Sequence, residues 1–185
     1  MTRAALCLMA CLVACLAACL VALPARAGEP PAKPDVAAVE ACLARVKDNE
    51  KKAGVEKDET PGPAGRLAAA ALRAPLEPAN CIGVVAIACE QRDGTSDGAR
   101  SQCARREAAV WDQRLNAAYR KALDGMEKDG ADNLRKTQRA WIAFRDARCV
   151  QAWATDHGSM AAPIQAWCEM ELTARQALWM ETWTE

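Results

Sequence analysis

The chain has 185 residues, enough for one domain and an appendage, with 24 basic residues, 24 acidic residues and one histidine. That even balance leaves no basic footprint for nucleic acid. Ten cysteines in so short a chain are far more than packing requires, and they make the redox compartment the first question.

The N-terminus answers it. Arg3 gives a short positive start, Ala4 to Leu23 are almost wholly apolar, and Ala25-Arg26-Ala27 is a small-x-small cleavage signal, so residues 1–27 read as a secretory signal peptide. The expected product begins at Gly28 and is periplasmic or secreted. Leu12-Val13-Ala14-Cys15 and Leu16-Ala17-Ala18-Cys19 resemble lipobox sequences, so a lipoprotein with a lipid anchor is the alternative, although the apolar run continues past Cys19. Stable membrane insertion after signal removal is not expected, since the run barely reaches ~20 residues. Cleavage removes Cys7, Cys11, Cys15 and Cys19, together with Arg3 and Arg26, and leaves 22 basic against 24 acidic residues. Cys42, Cys81, Cys89, Cys103, Cys149 and Cys168 remain. An even count in an exported chain reads as three disulfides whose connectivity is open. Zinc is disfavoured, because no C-x-x-C pair occurs and His157 is the single histidine.

Residues 28–79 read as a linker and helical extension, partly disordered. Gly28 to Pro34 is a Pro-rich tether. Asp35 has the character of an N-cap, and Val36, Val39, Leu43 and Val46 follow at helical spacing, predicting a helix from Asp35 to Lys52. Lys47 to Gly65 has linker composition, and Gly65 to Ala74 predicts a short Ala-rich helix stopped by Pro75.

Residues 80–185 carry the longer elements. Asn80 to Gln91 contains a β-branched run that permits a strand, but its apolar spacing favours a helix. Ala104, Ala108, Trp111, Leu115, Ala118, Ala122 and Met126 form one stripe, predicting a helix from about Ala99 to Lys128 with a break at Asp129-Gly130. The next helix is expected from about Ala131 to Thr155, with Leu134, Trp141, Ile142, Cys149 and Trp153 on one face and Arg145 among them. A cation on an apolar stripe needs a partner, and Asp112 or Glu107 on the facing helix is the expected one. The loop around His157 and Ser159 leads to a third helix from Ala161, where Ile164, Cys168, Leu172, Arg175 and Trp179 align. The fold class expected is therefore all-α, a small disulfide-stapled helical bundle with an N-terminal helical extension. Trp111, Trp141 and Trp153 are expected in its core, whereas Trp179 and Trp183, four apart near the end, suit an exposed aromatic patch.

The ordered set Cys89, Cys103, Trp111-Asp112, Leu115-Asn116, Tyr119, Leu134, Gln138-Arg139-Ala140-Trp141, Arg145-Asp146, Cys149, Gly158-Ser159, Cys168, Leu172-Thr173 and Arg175 resembles the bacterial lysozyme-inhibitor LprI-like family. The resemblance covers roughly the second half of the chain and implies an exported, all-helical, disulfide-stapled module. It implies the pairs Cys89 with Cys103 and Cys149 with Cys168, which leaves Cys42 to Cys81. Three departures stand out. His157 replaces a glycine before Gly158-Ser159, the Cys89 to Cys103 segment lacks the family's Thr-Gln and Glu-Met-Asn residues, and residues 28–80 lie outside the pattern.

The function implied is binding of a protein, with lysozyme as the sharpest candidate and an envelope stress or structural interaction role as the alternative. His157 and Ser159, in a loop closed by Cys149 and Cys168, and the Trp179/Trp183 patch are the expected contact residues. No catalytic, cofactor-binding or metal-binding set is expected. No P-loop, Gly-x-Gly-x-x-Gly, His-Glu-x-x-His or Gly-x-Ser-x-Gly occurs, and Asp112 and Asp146 lack a tuned partner by spacing.

Overall fold

A computed structural model describes residues 30–55, 77–155 and 158–184. The signal peptide and the helix expected over 65–74 lie outside the described residues. Six α-helices and no strand occur among them: α1 Lys33–Val55, α2 Val84–Asp93, α3 Asp97–Asp124, α4 Lys128–Val150, the one-turn α5 Ala152–Thr155 and α6 Ala161–Glu181. A 3-10 turn, Pro78–Cys81, precedes α2. The protein is an all-α bundle, as its apolar periodicity predicts.

Local chemistry explains most boundaries. Ser96 caps α3 by accepting from the Ala99 N–H, and Gly94 closes α2 at a φ of 97° that favours glycine. The break between α3 and α4 falls at Gly125, earlier than the Asp129-Gly130 position expected. Those two residues sit in the first turn of α4, where Asp129 complements the helix dipole and Gly130 lies at the start rather than in the middle of the helix. Asp35 is also not an N-cap. Helix α1 starts two residues before it, and its carboxylate is buried in an ion pair with Arg106 of α3.

Helix α6 is the middle element. It packs most extensively on α3, and on its other side against α4 and α5, while α1 and α2 cover α3. Beyond Ala161 and Pro163 at its start, α6 buries Ala166, Met170, Thr173, Ala174, Ala177 and Met180, where Ala166, Met170, Ala174 and Ala177 follow at steps of four and three. This corrects the expected alignment at two positions: Ile164 is exposed, as is Arg175, which pairs with Glu171, while Trp179 is exposed as an aromatic patch requires. An Ala-lined face lets the α3 and α6 backbones approach, and the two methionines fill the irregular space around Trp111 and Leu115 in the shared core. A search for bulky apolar residues misses such a face.

On α4, Ala131, Leu134, Gln138 and Cys149 are buried, and Trp141 packs against the core. Ile142 and Trp153, expected on that face, are 39% and 51% exposed. The reason for Trp153 is the break at Gln151, which ends α4 before that residue and restarts the chain as α5; its indole N–H then donates to Gln165 at the surface of α6.

Three disulfides join these elements: Cys42–Cys81 ties α1 to the 3-10 turn, Cys89–Cys103 ties α2 to α3, and Cys149–Cys168 ties α4 to α6. The first has a sequence separation of 39 and is the only covalent shortcut from α1 to the rest among the described residues. Closing a loop of that size stabilises by about 3 to 4 kcal/mol in the chain-entropy picture. Replacing both Cys42 and Cys81 by alanine is therefore expected to lower unfolding free energy by about 3 kcal/mol in urea denaturation.

Candidate functional site

The most tightly organised polar group in the molecule is Glu107. It lies on α3 within the buried stripe that also holds Cys103, Ala104, Val110 and Trp111, and it is 0% exposed. Its carboxylate oxygens accept four N–H groups: the backbone N–H of Gly83 at 2.6 Å, those of Val85 and Ala86 at 2.8 Å, and the Trp111 indole at 2.8 Å. Gly83 is the N-cap residue of α2 and has no side chain to offer. Glu107 thus supplies from a second helix the acceptor that Ser, Thr, Asp or Asn would supply locally. Glycine is required at the cap itself, because φ is 100° and an added Cβ would crowd Ile87 and Trp167.

A second cross-helix polar unit lies nearby. Arg106 of α3 grips Asp35 of α1 through Nε at 3.1 Å and Nη2 at 2.8 Å, while Nη1 stands 3.8 Å from Asp93 at the end of α2 and 3.7 Å from the Cys89 sulfur. One guanidinium fixes three helices. Cys89, Asp93 and Cys103 are also the one grouping among the described residues that gathers three potential metal-ligand atoms, but the two sulfurs are bonded to each other.

The ion pair expected between Arg145 and Asp112 or Glu107 does not form. Arg145 lies on α4, which packs on α6 and scarcely touches α3, so the guanidinium faces Thr173 at 3.4 Å and pairs with its neighbour Asp146 at 2.8 Å. It also stacks over Trp141, 5.2 Å from the ring centroid. Asp112 is exposed and accepts from Asn116 at 2.8 Å, one turn along its own helix. Glu107 is already saturated by the start of α2.

The expected contact residues separate into two regions. Ser159 is exposed in the turn Gly158 to Met160, inside the span closed by the Cys149–Cys168 bond, while His157 lies outside the described residues. Trp179 and Trp183 stand at the other end of α6, 41% and 49% exposed, with ring centroids 4.6 Å apart in an edge-to-face arrangement. Trp179 also lines a groove of about 660 Å³ with Leu43, Lys47 and Glu40 of α1. Helix α6 has 21 residues, or about 30 Å of rise, so the loop and the tryptophan pair are two surfaces and not one.

The segment from Cys89 to Met180 matches a family model described as lysozyme inhibitor LprI, over residues 89–180. Residues 89–180 are an LprI-family segment. The matched LprI segment contains α3, α4, α5 and α6 with the two disulfides Cys89–Cys103 and Cys149–Cys168. Helix α1, the Cys42–Cys81 bond and the start of α2 lie before it, so the LprI residues Glu107 and Arg106 reach out of the family segment to hold what precedes it. No curated protein and no solved structure matched the chain.

Sequence reasoning missed the role of Glu107, yet a signal was present. Helix α2 begins at Gly83-Val84-Val85 without a capping side chain, and elsewhere an acid interrupts an apolar stripe four residues before a tryptophan. A helix lacking its own acceptor and a buried carboxylate lacking a partner answer each other. The same reading also applies to Asp35 and Arg106, whose separation of 71 residues hides the pair.

Two exposed carboxyl groups are shifted. The Arg92 guanidinium bonded to Asp93 holds its carboxyl below the usual range, and Lys128 does the same for Asp132. Their stabilising effect is present above the unfolded-state value and is lost as pH falls through the lowered folded value. NMR titration should give midpoints for both below those of the same carboxyls in the denatured chain. The larger effect belongs to the buried group: Glu107→Ala leaves three backbone donors and an indole unpaired and is expected to cost about 3 kcal/mol or more, read as a lower denaturation midpoint. Trp111→Phe, which removes one donor and keeps most of the ring volume, should cost about 1 to 2 kcal/mol.

Proposed function

We propose that the protein is an exported protein-binding module that inhibits a lysozyme-type muramidase in the periplasm or cell envelope. The observation that carries this reading is the match of residues 89–180 to the lysozyme inhibitor family. The construction of the molecule supports it: three disulfides suit an extracytoplasmic setting, and among the described residues no helix is long and apolar enough to cross a membrane. A stapled bundle presents its loops with little ordering cost on binding.

Within this reading the inhibitory element is the loop bearing His157 and Ser159. Helices α4 and α6 on either side of it are joined by the Cys149–Cys168 bond, and Ser159 is open to solvent. A muramidase site carries two carboxyl groups in a cleft, and a hydroxyl, an imidazole and backbone N–H groups are donors suited to them. The Trp179/Trp183 pair is the alternative contact surface. The protein acts here as a scaffold and performs no reaction.

The oxidised protein is expected to slow hydrolysis of cell-wall substrate by a muramidase in a saturable manner. His157→Ala and Ser159→Ala should each raise the half-inhibitory concentration by about tenfold, equivalent to about 1.4 kcal/mol. If inhibition is instead lost in Trp179→Ala or Trp183→Ala, the contact surface is the far end of α6. If the unmodified protein does not inhibit, the role is that of an envelope interaction module with another partner.

A further inference from the structure

A groove of about 640 Å³ opens where the start of α6 meets α2, α3 and the end of α4. Its volume falls in the range of small-molecule sites. Met160, Ile164, Trp167 and Leu172 form an apolar wall, and Met160 and Ile164 remain 40% and 37% exposed. Arg100 of α3 and Arg148 of α4 also line the groove.

Among the described residues neither guanidinium takes part in an ion pair or a side-chain hydrogen bond, and Arg100 Nε is buried without any partner. Arg92, Arg106, Arg114, Arg135, Arg145 and Arg175 are each paired with a carboxylate, although Arg114 Nε is a buried donor without a partner as well. Arg45, Arg105, Arg120 and Arg139 also lack an ion pair among the described residues but do not line the groove. A buried donor left unsatisfied costs free energy, and an acceptor from outside, a water or an anionic ligand, removes that cost. Two carboxylates also line the groove. Glu171 is taken by Arg175 at 2.8 Å, and Glu90 stands unpaired, so two open guanidinium groups face one open acid. Helix α6 begins beside the groove without a side-chain cap, which adds partial positive charge at the same end.

We propose that this groove binds an aliphatic carboxylate, with the alkyl chain along Ile164, Trp167 and Leu172 and the carboxylate between Arg100 and Arg148. A guanidinium fork matches a carboxylate in two parallel bonds, and the wall removes the chain from water. The proposed carboxylate contacts, Arg100 and Arg148, lie outside the His157/Ser159 loop, although Met160 at the rim of the groove directly follows Ser159.

The test is a titration of the isotopically labelled, oxidised full protein with sodium octanoate, 1-octanol and octylammonium chloride, followed by NMR shifts of the Trp167 indole and of backbone groups around Ile164. Octanoate should produce saturable shifts at these positions and bind at least tenfold more tightly than octanol, with octylammonium weaker still. Arg148→Glu and Ile164→Asp change exposed side chains and should keep the parent melting temperature while weakening octanoate binding tenfold or more. Equal affinity for octanol and octanoate, shifts located elsewhere, no saturation, or an unchanged affinity in Arg148→Glu would each overturn the proposal.

Discussion

A single buried carboxylate holds the two halves of the core in register. Glu107 is expensive to place in an apolar stripe, since an ionised acid loses its water on burial, and the cost is offset only because four N–H groups converge on it. Three of these are the donors that every helix start leaves without internal partners. The acid therefore specifies where α2 begins, which way it points and how far along α3 it sits. Cys89–Cys103 then locks the other end of the same helix pair. Two fixed points on one short helix leave it no freedom to slide.

The remaining elements are organised by α6. It lies between α3 and α4, and it can do so because the residues it buries are mostly alanine with methionine at 170 and 180. Small side chains bring helix axes close, where dispersion contacts accumulate, and flexible thioethers fill what remains. Tryptophan supplies mass at one central point, Trp111, rather than along a continuous aromatic seam. The other indoles lie nearer the surface, and Trp153, Trp179 and Trp183 are largely open to solvent.

This architecture separates stability from recognition. The buried polar contacts of Glu107 and the largely buried pair Asp35–Arg106 concern helix placement, and the sulfurs are consumed in cross-links. What is left for a partner or ligand is peripheral: the turn before α6, the groove beside it with two open guanidinium groups, and the tryptophan pair at the far end. Such a division is expected of a binding scaffold, whose surface can vary while covalent staples and one capped helix start preserve the frame.

The sequence by itself determined the elements. Apolar spacing placed α3, α4 and α6 to within a few residues, and the ordered cysteines, tryptophans and short polar motifs marked the LprI segment, because periodicity and motif order are properties of neighbours along the chain. It did not determine which faces meet. Arg145 was matched to Asp112 or Glu107 on the premise that consecutive helices α3 and α4 face each other, whereas α6, the last helix, lies between them. For the same reason Ile164, aligned with Cys168 and Leu172, lies outside the contact face, which alanines occupy. Partnership across 20 to 70 residues, as in Glu107 with Gly83 or Asp35 with Arg106, depends on how helices stack, and only the tertiary structure decides that.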